Sequence, residues 1–334
     1  MTWKETIAPD ETTRFEAIAS ELRDLQKGRA TAGHTPRGLH EKQHVGAVGE
    51  FVAGDVPVAM RVGPFQPGAK FPLYARFSNG APAAQHDGTT DIRGFALKLV
   101  GVPGKKLIPG LEDKKTQDFL FIQSPSTPFA SPDEFMTFLR HAAKGQALLL
   151  PRLVGALGFG RTLKLLKGLA GMPKVASYAT SPFYSGAALR MGEGAARLAL
   201  LPTATPDGSK ASGSDGLRED LVRRLAAGPM VHRLCAQPYV DDTRTPIEDA
   251  SVRWTEEASP FVELGRVTIF RQDVTSARGK EIHELVTKLS FDPWHAVPEL
   301  RPLGAVMRAR NVAYRESVIA RKAADEPESV LASE

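Results

Sequence analysis

From residue 45 to residue 122 the sequence is a succession of short β-prone runs separated by turn signals, and this pattern restricts the fold more than any other feature. The runs are residues 45–52, 56–62, 71–78, 94–100 and 118–122, punctuated by Gly54-Asp55 and Asn79-Gly80. Strands that follow one another without helical crossovers form an antiparallel sheet or barrel, not a βαβ array. Strand character returns at 231–240 and 261–271.

Helical spacing appears elsewhere. Residues 10–27 place Phe15, Ile18, Ala19, Leu22 and Leu25 on one face, with Asp10 or Thr12 as cap. Residues 132–143 start with Ser131 as cap and Pro132 in the first position. Further helices are expected at 217–227, 279–289 and 305–323. Residues 147–169 are rich in Leu and Gly, with Arg152, Arg161, Lys164 and Lys167 interspersed. They read as two short packed helices broken by Pro151 and the glycines, or as an amphipathic segment touching a membrane or lidding a lipid-accepting channel. Residues 203–216 form a polar loop. The expected organisation is an N-terminal helical arm (1–34), one domain (35–323) and a polar, frayed tail (324–334).

Composition narrows the function classes. A chain of 334 residues, 42% hydrophobic and 24% charged, is globular and can bury a large cofactor. Its 43 basic and 38 acidic residues form no long run of one sign, which argues against nucleic acid as a partner. The mildly basic balance favours anionic substrates such as fatty acids. One cysteine, Cys235, allows no intramolecular disulfide and no zinc cluster. No run of 18 apolar residues suggests a transmembrane segment, and the first residues lack a secretory apolar region, so a cytoplasmic location is expected.

Among the five tyrosines, Tyr314 alone follows an arginine at helical i, i+4 spacing, in Arg310-Asn311-Val312-Ala313-Tyr314. That spacing sets the guanidinium beside the phenol and favours the phenolate, a donor suited to ferric iron. Taken alone, the same spacing also describes a surface arginine near a core tyrosine. His40 lies in a Gly- and His-rich stretch that includes His44. A histidine beside haem can take a proton from peroxide and return it to the leaving oxygen, although a single histidine is more often structural. Arg37, Arg76 and Arg321 are candidate partners for the two haem propionates, or, singly, surface ion-pair residues. Gly158-Phe159-Gly160 lacks the rest of a dinucleotide fingerprint, and no P-loop is present.

The order of motifs is more specific than any one of them. Arg37-x-x-His40, Gly46-x-x-Gly49-x-Phe51, Arg76-Phe77-Ser78, Asp91-x-Arg93-Gly94-Phe95-Ala96-x-Lys98 and Arg310-x-x-x-Tyr314 with Arg321 resemble the catalase superfamily. So do Thr116-Gln117-Asp118-Phe119-Leu120, Pro246-Ile247-Glu248-Asp249 with Trp254, Phe291-Asp292-Pro293-Trp294-His295 and Arg301-Pro302-Leu303-Gly304. The closer resemblance is to the small catalase-related haem peroxidases, across residues 35–323.

The resemblance implies an α+β fold, an antiparallel β-barrel surrounded by helices, with haem b between barrel and helices. It implies Tyr314 as the iron ligand, Arg310 tuning it, and His40 as the distal acid–base residue oriented by Ser78. Arg37, Arg76 and Arg321 would hold the propionates. Gln123 stands where the family usually has a distal asparagine, and Phe135 or Phe129 would wall that side. Leu39, where allene-oxide-forming relatives carry threonine, leans away from that chemistry. The implied activity is reduction of hydrogen peroxide or organic hydroperoxides with a small-molecule electron donor, and weak catalase activity; a homodimer is compatible with it. Two other readings are a haem-dependent isomerase or oxygenase acting on a lipid hydroperoxide or secondary metabolite, and a non-enzymatic haem carrier or sensor.

Overall fold

The structure, a computed structural model, describes residues 2–145, 148–208 and 211–333. Its strands are β1 (Gln43–Ala53), β2 (Lys70–Asn79), β3 (Arg93–Val100), β4 (Thr116–Ile122), β5 (Phe183–Tyr184), β6 (Leu189–Met191), β7 (Gly194–Pro202), β8 (Met230–Pro238) and β9 (Val262–Ile269). All pair antiparallel, in the order β5-β4-β3-β2-β1-β9-β8-β7-β6. A second pairing, Phe183 with Leu200 and Tyr184 with Ala199, joins β5 to β7. It closes eight strands into a barrel, with β6 added alongside β7, so the barrel strands leave no open edge. Around it lie α1 (Glu11–Lys27), α2 (Pro132–Ala143), α3 (Leu149–Leu157), α4 (Phe159–Ala170), α5 (Gly216–Ala227), α6 (Ala277–Lys288) and α7 (Ala305–Ala320).

Side chains alternate across a strand, and here the two faces have different roles. Val45, Ala47 and Phe51 of β1, Leu73, Ala75 and Phe77 of β2, and Phe95, Leu97 and Leu99 of β3 share one buried core. Aromatic rings dominate it: Phe77 and Phe95 lie 4.5 Å apart between centroids, and Tyr178 stacks on Phe183 at 5.2 Å. The alternate positions, including Arg76, Ser78, Gly94, Ala96, Lys98 and Leu120, belong to the other face. Val48, Tyr74 and Val100 on that face pack with Ile282 and Val286 of α6. A one-residue slip in register would exchange the two sets.

Several expectations are met closely. Ser131 caps α2 by accepting the Glu134 N–H at 3.3 Å, with Pro132 at the first position. Residues 147–169 form the expected helix pair; Ala147 itself lies outside the described residues. The break falls at Gly158, whose φ of 78° suits glycine, and not at Pro151. Pro151 sits in the first turn of α3, where the backbone N–H has no intrahelical partner to lose.

Others need correction. Residues 56–62 are not a strand: they form a loop with a 3-10 turn at Val58–Met60, because Pro57 cannot donate to a ladder. Strands β5, β6 and β7 were not expected, the first two being only two and three residues long. Asp10 occupies the cap position of α1 without a side-chain cap bond, and Leu25 is exposed while Phe15, Ile18 and Ala19 are buried. The tail expected to fray instead lies against the barrel and α6 over residues 324–333. The Leu331 N–H donates to Tyr74 Oη (2.9 Å), the Ala324 N–H to the Lys288 carbonyl (3.0 Å), and the Glu326 carboxylate is buried.

Candidate functional site

The outer face of β2–β4 and one face of α7 enclose a cavity with about 1170 Å³ of free space counted out to its mouth. The barrel contributes Arg76, Ser78, Gly94, Ala96, Leu120 and Ile122; the loop before β1 contributes Arg37, Leu39 and His40. From the helix come Val306, Arg310, Ala313, Tyr314 and Ser317, the repeat expected of one helical face, with Arg321 just beyond its end. Phe291 closes the wall between them.

His40 is held from several sides. Its backbone adopts φ 57°, uncommon for a residue with a side chain. Its N–H donates to the Gly80 carbonyl at 3.0 Å, and its carbonyl accepts from Arg76 at 2.6 Å. Nδ1 pairs with Ser78 Oγ at 3.1 Å, which leaves Nε2 for chemistry. The ring lies over Gly94: a Cβ there would stand 2.8 Å from Cε1 and Nδ1 of His40. Only glycine admits the imidazole at this place. Burial, then the charges of Arg76, Arg310 and Arg37, push the His40 pKa down to about 3, so the ring is neutral near pH 7.

On α7, Arg310 Nη2 donates to Tyr314 Oη at 2.7 Å, and the guanidinium carbon sits 4.9 Å from the ring centroid. The i, i+4 pair therefore forms as its spacing predicts, at the phenolic oxygen itself.

Arg37, Arg76 and Arg321 form the third group. Arg37 and Arg321 both donate to the carbonyl of Leu289, at 2.7 and 2.9 Å, and Arg37 also donates to the Thr287 carbonyl. They thus cap the C-terminal end of α6, where the helix dipole favours a cation. Arg76 donates to Gln43 Oε1 at 3.0 Å. No guanidinium of the three bonds a carboxylate side chain among the described residues, although the Arg37 backbone N–H donates to Glu41 at 2.6 Å and the Glu41 charge acts on all three. Burial drives the Arg76 and Arg321 pKa values down to about 10, and burial with the neighbouring Arg76 and Arg321 charges drives Arg37 down as well. Three guanidinium groups around one cavity, with a single nearby carboxylate, Glu41, among the described residues, favour an anionic ligand there.

Gln123 and Phe135 do not join this site. Gln123 Oε1 accepts the Arg93 N–H at 2.8 Å and Nε2 donates to the Asp91 carbonyl at 3.1 Å, so both ends of the amide hold backbone away from the cavity. Phe135 packs with Phe15, Ile18, Met136 and Ala309 between α1, α2 and α7, edge-on to Phe129 at 5.3 Å. The one extra methylene that separates Gln from Asn is enough to carry the amide to this backbone. The wall there is Leu120, Phe121 and Ile122, with Thr127 beyond.

Two parts of the site had no forewarning in the sequence. First, α1 is a wall of the cavity: Leu22, Arg23 and Gln26 line it. Gln26 donates to the Pro36 carbonyl at 2.7 Å, and Arg23 pairs with Glu316 of α7 at 3.1 Å. Second, a buried charged cluster lies behind Phe291. Lys98 Nζ stands 5.6 Å from the Phe291 ring centroid and contacts Asp118 at 2.7 Å and Glu326 at 2.6 Å. Ser290 and Thr116 both donate to Glu326 at 2.8 Å, and the Asp292 N–H donates to Asp118 at 2.9 Å. One cation serves two buried carboxyl groups. Burial and the neighbouring Glu326 push Asp118 up to about 8, while Lys98 holds Glu326 down at about 2 despite its burial.

The donor set fits haem. Tyr314 offers a phenolic oxygen hydrogen-bonded by Arg310, His40 is a neutral imidazole on the barrel side, and the arginines suit two carboxylates.

Comparison with known proteins bears on the fold. No protein-family model and no curated protein matches the chain. Solved structures do. A fungal catalase solved at 1.9 Å superposes with a TM-score of 0.66 at 18% identity, over 90% of this chain and 61% of that one. A bacterial catalase gives 0.63 at 17% identity, over 95% and 62%. Catalase A from Saccharomyces cerevisiae gives 0.64 at 16% identity, over 96% and 67%. The chain thus spans about two thirds or less of the length of these catalases. At such identity the likeness shows the fold: a catalase-like antiparallel barrel with helices around it. No helix among the described residues is long and apolar enough to cross a membrane.

Proposed function

We propose that the chain is a haem-dependent oxidoreductase acting on peroxides, of the small catalase-related peroxidase kind. One observation carries the reading: the Arg310–Tyr314 pair, the Ser78–His40 pair and three arginines whose guanidinium groups bond no carboxylate among the described residues line a single cavity. Bound there, haem supplies the redox-active iron at which a peroxide O–O bond is cleaved.

The protein's own groups supply the rest. Tyr314 would hold the iron through Oη, which Arg310 orients by its hydrogen bond. Arg37, Arg76 and Arg321 bind the propionates, which also relieves the mutual repulsion of the guanidinium groups. Ser78 and Gly94 fix the plane and position of His40, so that Nε2 takes the proton from the peroxide and delivers it to the departing oxygen. Burial keeps the His40 pKa low, and neutralising the arginines removes part of what adds to it, which makes uptake of the peroxide proton by Nε2 easier.

With Gln123 turned into the backbone, the stretch of wall made by Leu120, Phe121 and Ile122 is apolar. That wall favours an organic hydroperoxide, whose alkyl group it can desolvate, over hydrogen peroxide. The electron donor is a small molecule that reaches the mouth.

The test is reconstitution with haem, followed by spectra and kinetics. Wild type should show ferric-tyrosinate absorption that Tyr314→Phe lacks. His40→Ala should keep haem but lose at least about 100-fold in turnover. A wild-type protein that takes up no haem, or a His40→Ala enzyme of full activity, would defeat the proposal. Ready transfer of haem to an apo-acceptor without any peroxide turnover would point to a carrier instead.

A further inference from the structure

The surface of the α3–α4 hairpin differs from the rest of the molecule in two independent ways. Of the eight large apolar side chains exposed among the described residues, four are here: Leu148, Leu150, Phe159 and Leu163. Phe159 is 71% exposed, an unusual position for a phenylalanine. The second difference is charge. Residues 135–192 contain no Asp or Glu, but eight Lys and Arg.

These features coincide on one face. Phe159, Leu163 and Lys167 follow at i, i+4 on α4, with Lys164 beside them, all exposed. The opposite face is anchored: Leu153, Thr162 and Leu165 are buried, Gly168 lies against Pro128, and Arg161 grips Glu134 with two bonds of 2.5 Å. The outward face is therefore presented by a fixed hairpin. Lys164 and Lys167 have no carboxylate partner among the described residues, whereas Arg161, on the anchored side, does.

We propose that this hairpin docks on an anionic lipid bilayer, with the leucines and Phe159 at the acyl boundary and the lysines among the phosphate headgroups. A basic amphipathic helix with Leu and Phe on its apolar side has the chemistry of an interfacial segment. A second copy of the chain fits less well, because an isologous contact would bring Lys164 and Lys167 near the same lysines of the partner. Nucleic acid would satisfy the lysines but leave four large apolar side chains in water. The hairpin rests on Pro128 and Glu134, and the residue before Pro128, Thr127, lines the cavity. The proposal does not depend on haem.

Co-sedimentation of the full chain with vesicles tests it. Vesicles of phosphatidylcholine doped with phosphatidylglycerol should bind at least about tenfold more protein than phosphatidylcholine alone, and high salt should remove the difference. Lys164→Glu with Lys167→Glu should abolish the preference. Phe159→Ser with Leu163→Ser should weaken binding to both vesicle types. These are exposed positions, and an unchanged circular dichroism spectrum shows that the fold is kept. Wild type that stays in the supernatant with anionic vesicles, or variants that bind as wild type does, would overturn the proposal. So would a concentration-dependent dimer lost in Phe159→Ser with Leu163→Ser, which assigns the face to a second copy. Vesicle binding is read without turnover, so failure here leaves the peroxide reading standing, and the reverse holds too.

Discussion

Replacing Lys98 with methionine removes the single cation that serves two buried carboxyl groups while preserving length and volume. Lys98 is fully buried, Asp118 and Glu326 contact it directly, and among the described residues no other Lys or Arg contacts either carboxylate. Breaking a buried ion pair by deleting one partner costs about 3–5 kcal/mol. Unfolding entropy near 2.1 cal/mol/K per residue gives roughly 0.7 kcal/mol/K for 334 residues, so the expected drop in Tm is about 4–7 °C. The cost must also depend on pH in a known direction. Without the cation both carboxyl groups have folded pKa values above their unfolded ones, and Asp118 already reaches about 8 with Lys98 in place. A raised carboxyl pKa imposes no penalty below the unfolded value, and the penalty grows as pH rises toward the folded one. Thermal melts of wild type and Lys98→Met at pH 5 and pH 8 should therefore diverge much more at pH 8. An equal loss at both values, or a loss below about 1 °C at pH 8, would refute the account of a shared cation.

Gly94→Ala should press a methyl group onto the His40 ring; in the haem-loaded enzyme we expect turnover to fall at least about tenfold with the tyrosinate spectrum retained, since a displacement of about 1 Å can cost that much or more. Gln123→Leu leaves the Arg93 N–H and Asp91 carbonyl without partners and should cost about 1–3 kcal/mol in denaturant melts, while peroxide turnover of the folded fraction stays at the wild-type level. Acid unfolding of the haem-free protein has a calculable slope. Burial depresses His40 and His295 to about 3 and His44 and His232 to about 4, and raises Asp118 to about 8 and Asp292 to about 6. Near pH 5 unfolding then binds about four protons at histidines and releases about two from aspartates, so stability should fall by about 2–3 kcal/mol for each unit the pH drops; a flat profile there would contradict the buried neutral histidines.

The barrel was legible where strands were long and alternated cleanly. β1 to β4, β8 and β9 all follow the apolar period of two or a β-branched run. The closing strand was not legible. β7 reads Gly-Ala-Ala-Arg-Leu-Ala-Leu-Leu-Pro, helix-forming residues that become strand only because β8 on one side and β5 on the other supply ladders. At the site, Tyr314, Arg310, His40, Ser78 and the three arginines lie together, and the spacing of α7 was enough to place Arg310 and Tyr314 on one face. The α1 wall gave no warning, because the helical period says which face is buried but not against what. Gln123 was misleading for a related reason: the residue type fits a pocket amide, and only tertiary structure shows which acceptor lies within reach. Glu326 was hidden by its polar surroundings in a tail whose composition suggests solvent.

The partnership of α1 and α7 has a consequence in time. On the ribosome, α1 emerges early with Phe15, Ile18 and Ala19 bare, and its partner α7 begins 278 residues after α1 ends. At synthesis rates of about 5–20 residues per second, the interval is roughly 14–56 s. Through it the helix is an exposed amphipathic segment, available to chaperones, and the cavity lacks two of its walls. A bound group large enough to need both walls can be enclosed only after α7 is out, so loading waits for α7 to be made.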